Sequence, residues 1–150
     1  MPQISKYPLD KILEQQMFRE FWSSVSKLRD ANEVSAFFSD LLSDVEEKML
    51  VKRFTVAVLI LRGKRPVDIA RAVHVSYSTI ASVAAWVTHA SPKMRLLLQT
   101  IIDQRNWQQI LDRIDALLDK LPPAYGTDWH KAGKAKWQRR IERATRQSLR

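Results

Sequence analysis

An all-helical fold is predicted by three observations. The chain of 150 residues holds three glycines, shows no run of strict apolar–polar alternation, and repeats helix-start signals before apolar residues spaced for a helical face. The first helix is expected from Pro8, with Leu9, Ile12, Leu13, Met17, Phe21, Trp22, Val25 and Leu28 at helical spacing. Asp30 and Asn32 are candidate caps for a second helix, whose buried side reads Val34, Phe37, Phe38, Leu41 and Leu42. Ser43 with Glu46 forms a capping box, which opens a third helix running to about Arg62. Gly63 is placed as its left-handed stop.

Inside that third helix, "FTVAVLIL" (54–61) is apolar all round, so it must be buried on more than one side. Burial against a second subunit and burial as the central helix of a monomer both satisfy this. Pro66 opens a fourth helix, and Ser76 caps a fifth that continues to about His89. Ser91-Pro92 starts a further helical stretch to Leu121, where the polar "DQRN" (103–106) marks a possible break with Asn106 capping the second piece. Pro122-Pro123 ends it. A basic helix capped by Asp128 is expected beyond, with a thin apolar stripe of Trp129, Trp137, Ile141 and Ala144, and only loosely ordered until something binds it.

Net charge is +9, concentrated at one end. Residues 1–30, 31–91 and 92–121 are each +1, whereas 122–150 carry eight Lys/Arg against two Asp/Glu. Such asymmetry points to a polyanion, either nucleic acid or an anionic membrane surface. No apolar run reaches the length of a membrane span, and the first residues lack an apolar signal core, so a cytoplasmic protein is expected. With no cysteine there is neither a disulfide framework nor a thiol nucleophile. His74, His89 and His130 lack metal-ligand spacing, no glycine-rich phosphate loop occurs, and no base stands beside a serine, so neither an enzyme nor a bound cofactor is expected.

The chemistry is expected in "RPVDIARAVHVSYSTIASVAAWV" (65–87). Ile69, Ala70 and Val73 make the inner face of one short helix, Ile80 and Val83 that of the next, and Val75 plugs the turn. This is a helix-turn-helix over about 66–89. An ordinary corner between two helices has the same outline. His74 occupies the turn position where φ is positive, a conformation histidine tolerates better than β-branched residues do. The second helix presents Ser76, Tyr77, Ser78 and Ser82, with Thr79 at the edge, rather than the Arg, Lys, Asn or Gln of strong base readout. Contacts of this kind position a protein through phosphates, water and groove shape. Attraction to phosphates is assigned to Lys64, Arg65 and Arg71 and to the tail residues Lys131, Lys134, Lys136, Arg139, Arg140 and Arg143. Tyr125, Trp129 and Trp137 interleave the tail charges, where they either stack on unpaired bases or dock the tail on the body.

Read together, "FFSDLLSDVEEKMLVKRFTVAVLILRGKRPVDIARAVHVSYSTI" (37–80) resembles the Trp repressor family. The resemblance implies an intertwined, all-helical homodimer that binds operator DNA and regulates transcription. Carried over position by position, the family's corepressor pocket falls near Leu41 and Ser43 and on Arg53, while its arginine–glycine pair falls on Ser82 and Val83. The resemblance therefore implies a regulator that works without tryptophan as corepressor. The expected partition is a DNA-binding domain over 1–91, a helical extension over 92–121 and a basic tail over 122–150. A helical interaction module, or an RNA-binding one acting through the tail, is the alternative.

Overall fold

A computed structural model describes residues 10–122, 126 and 128–148, except the side chains of Arg105, Arg143 and 146–148. Eight helices and no strand occur among the described residues. They fall into two compact units, Met1–Met49 and Leu50–Arg150. None of the helices is long and apolar enough to cross a membrane.

In the first unit, α1 (Lys11–Val25) begins where the Asp10 carboxylate accepts from the N–H groups of Ile12 and Leu13. The start is therefore set by Asp10, and the proposed Pro8 start, with Leu9, lies outside the described residues. Asp30 caps α2 (Ala31–Leu41) by accepting from Asn32 and Glu33, so Asn32 lies one position inside the helix. Phe21 and Phe37 pair at 6.3 Å, and Phe37 meets Phe38 edge-on at 5.4 Å. No residue of α1 or α2 is buried, and Ile12, Met17, Trp22 and Leu41 stay exposed. The side of α2 expected to be buried is only half-buried at Phe37, Phe38 and Leu42, and Val34 and Leu41 are exposed.

The capping box forms as expected at the start of α3 (Asp44–Leu61). Ser43 donates its N–H to Glu46 Oε2 at 3.0 Å, and Glu46 N–H reaches back to Ser43 Oγ at 3.4 Å. At its far end Gly63 has φ +70°, and the Gly63 and Lys64 N–H groups bond Ile60 O and Leu59 O. That reversed pair of bonds is a Schellman ending, which a left-handed residue permits.

Val56, Ala57, Val58 and Leu59 of α3 form the centre of the second unit. The chain's own helices bury them, so "FTVAVLIL" is a central core helix of the single chain. Around it pack Ile69 from α4 (Pro66–Val73), Ile80, Val83 and Val87 from α5 (Tyr77–His89), Ile102 from α6 (Pro92–Ile102), and Leu111 from α7 (Arg105–Lys120). Trp107 of α7 lies against Phe54 at 5.7 Å. The break between α6 and α7 occurs as expected, but Gln104 holds the N-cap position and Asn106 lies within the helix. Arg62 closes this corner by donating to Ile102 O and Asp103.

The basic helix expected after Asp128 also forms, as α8 (Trp129–Ser148). The Asp128 carboxylate accepts from His130 and Lys131. In place of the loose tail expected, it is fastened to α7: the Lys136 ammonium donates to Asp119 O at 2.8 Å and Leu121 O at 2.9 Å, and Arg139 pairs with Asp119.

Candidate nucleic-acid interface

The helix pair α4–α5 is assembled by local signals. Pro66 takes the first position of α4, where its missing N–H costs nothing. Ile69 is fully buried, while Ala70, Val73 and Val75 pack against the same core from the turn side. At His74 the backbone is left-handed, with φ 54° and ψ 60°, and its N–H still bonds Ala70 O at 3.0 Å. Lys52 of α3 donates to His74 O at 3.2 Å, which anchors the turn. Ser76 then caps α5 by accepting from the Thr79 N–H at 3.2 Å.

At the start of α5, Tyr77 is 60% exposed, Ser78, Ala81 and Ser82 are exposed, and Thr79 is half-buried. The sequence alone did not disclose how far these hydroxyls engage each other. Ser76 Oγ lies 2.9 Å from Ser78 Oγ and 3.0 Å from Thr79 Oγ1, and Ser82 donates to Ser78 O. The cluster orders the surface around the start of α5. Only the close spacing of Ser76, Ser78 and Thr79 hints at it.

The cations expected to contact phosphates do not share one surface. Lys64, Arg65, Arg71, Lys131, Lys136 and Arg139 line a single cleft of about 470 Å³ between α4, α7 and α8. Residues 51 positions apart meet there: Lys64 pairs with Asp115 at 2.6 Å, and Arg71 donates to Pro122 O at 2.8 Å. Arg65 is held by both oxygens of Asp68, which pushes its guanidinium pKa above the usual value. No residue of α5 lines this cleft. Lys134 and Arg140 are exposed outside it, and the Arg143 side chain lies outside the described residues. Tyr125 does too, whereas Trp129 and Trp137 are 72% and 67% exposed and cover little of the body.

Of the positions matching the family's corepressor pocket, Val83 is buried in the core and Ser82 is engaged with its own helix. Arg53 is exposed. No group of three His, Cys, Asp or Glu among the described residues is placed to hold a metal ion.

A left-handed turn, a capped second helix with an exposed first turn, and a shared apolar core beneath them define a helix-turn-helix protein of all-α class. Residues 16–102 match the family described as Trp repressor protein, and the chain belongs to that family. The match runs from within α1 to the end of α6 and stops before α7 and α8. No curated protein and no solved structure matches the chain.

Proposed function

We propose that this protein is a sequence-specific DNA-binding regulator of transcription, not an enzyme, which docks the start of α5 on duplex DNA. The observation that carries the reading is the exposed first turn of α5, with Ser76, Tyr77, Ser78, Thr79 and Ser82 held on a rigid helix pair. Such a helix start directs backbone N–H groups and hydroxyls at phosphates. Lys134 and Arg140, and the other basic residues of 122–150, draw the duplex in electrostatically.

A homodimer is the working unit, supported by the uncovered Ile12, Met17, Trp22 and Leu41 in a unit with no buried residue in α1 or α2. Two-fold pairing would supply the half-site spacing that compensates for weak base readout. Regulation is independent of tryptophan, because Ser82 offers no cation to stack on an indole and Val83 is already packed. The protein acts in the cytoplasm on this reading.

The test is selection of bound duplexes from a random pool by the full chain, followed by affinity measurements across salt. One enriched sequence is expected, with log K falling against log salt at a slope of about −5 for about six neutralised phosphates. Tyr77→Ala and Ser78→Ala should weaken that complex, and L-tryptophan should leave it unchanged. If no sequence is enriched, or Tyr77→Ala binds as the parent does, the reading fails. Preference for single-stranded RNA over any duplex would transfer the activity to the basic tail.

A further inference from the structure

We propose that the cleft between α4, α7 and α8 is a binding site for a small, multiply phosphorylated molecule. Seven lysines and arginines line it against two aspartates. Four of the seven have carboxylate partners: Arg62 with Asp103, Lys64 with Asp115, Arg65 with Asp68 and Arg139 with Asp119. Arg71, Lys131 and Lys136 have none among the described residues, so three positive charges face the same space without a counter-charge.

Their hydrogen-bonding capacity is also only partly spent. A guanidinium has five N–H donors and an ammonium three. Arg71 gives one to Pro122 O, and Lys136 gives two, to Asp119 O and Leu121 O. These carbonyls hold both cations in place without neutralising them. Pre-positioned cations of this kind lower the ordering cost of binding an anion.

Shape selects the ligand class. About 470 Å³ is the room of a small-molecule pocket. Leu118, Leu121, Ala132 and Ala135 form apolar wall between the charges, which keeps the field from being screened inside. A duplex is a convex rod, and cations tethered inside a concavity cannot all reach its surface. Three uncompensated charges call for a ligand bearing about as many negative charges in a compact space. A chain of phosphates fits that description, and a single carboxylate does not. Two of the three walls, α7 and α8, lie beyond the residues that match the family. The site therefore lies largely outside the matched region, and it does not rest on the duplex-binding reading.

The test uses inorganic tripolyphosphate as probe and the full chain at about physiological salt, with no nucleic acid present. Calorimetry should show saturable binding of one ion per chain, at least tenfold tighter than orthophosphate. Lys131→Gln, whose side chain is exposed and makes no hydrogen bond or ion pair among the described residues, should weaken it about tenfold. Arg113→Gln removes the same charge from an exposed position on α7 outside the cleft, and should change it less than twofold.

Several ions per chain, equal weakening by both substitutions, or no saturable binding would each overturn the proposal. In a second arm, displacement of the probe by a random-sequence duplex, with Lys131→Gln weakening both equally, would assign the cleft to nucleic-acid phosphates and refute a small-molecule site. Failure of the calorimetric arm leaves the selected-duplex experiment untouched, so the two readings stand or fall separately.

Discussion

Replacing His74 by glycine should stabilise the protein, and replacing it by valine should destabilise it. His74 is the sole non-glycine residue with positive φ among the described residues. A left-handed backbone costs an L-residue about 1–2 kcal/mol, and histidine sits toward the lower end. Glycine removes that cost but loses about 0.5–1 kcal/mol through its greater freedom in the unfolded chain. Nothing else is forfeited, because both bonds at this residue use backbone atoms: His74 N–H to Ala70 O, and Lys52 to His74 O. The side chain is exposed. The net gain should be at most about 0.5 kcal/mol, or a Tm rise of no more than roughly 2 °C for a chain of this size.

Valine adds a branched Cβ to the same backbone, and should cost about 1–2 kcal/mol relative to histidine. Thermal melts followed by far-UV circular dichroism, checked by urea midpoints, measure both. A lower Tm for His74→Gly, or a neutral His74→Val, would show that the turn is not held left-handed in solution, and the placement of α5 would lose its basis.

Two further outcomes follow from electrostatics. At the α3 start, the Ser43 N–H and then its hydroxyl hold the Glu46 carboxyl below its ordinary pKa. The folded-state value is the lower one, so this cap contributes fully above the ordinary value and is lost as pH falls through the depressed one. Ser43→Ala removes the hydroxyl but keeps the N–H, and should raise the carboxyl part of the way back in an NMR titration; an unmoved titration curve would refute the assignment. The Lys64–Asp115 pair, with side chains 24% and 14% exposed, lies between the surface and buried regimes. Lys64→Met should cost about 1–3 kcal/mol by stranding a mostly buried carboxylate. A double-mutant cycle with Asp115→Asn checks it, and zero coupling would contradict it.

Much of the helix pair was legible in the sequence because its determinants are local. The Ser76 cap, the His74 turn and the inward Ile69, Val73, Ile80 and Val83 all lie within 15 residues of one another. The capping box and Gly63 likewise fixed α3 from residues at its own ends. The cleft was not legible, because its residues meet only after α7 folds back over α4. Nothing near Arg71 in sequence announces Pro122 as its acceptor, and a count of basic residues does not separate inward cations from outward ones. The start of α7 was misplaced for a related reason. Asn106 is the better capping residue by type, yet Gln104 holds the N-cap position without a side-chain bond, beside Asp103, which pairs with Arg62. Tertiary packing overrode local preference there.

The end of α7 is grasped from both directions along the chain, by Arg71 from far upstream and by Lys136 from just downstream. Cutting the polypeptide after Pro122 would thus do two things at once: subtract positive charge and undo one half of a clasp. A shortened protein that lost affinity for any anion would leave those effects confounded. Exchanging single residues, with the clasp otherwise intact, is the way to learn what the charge does by itself.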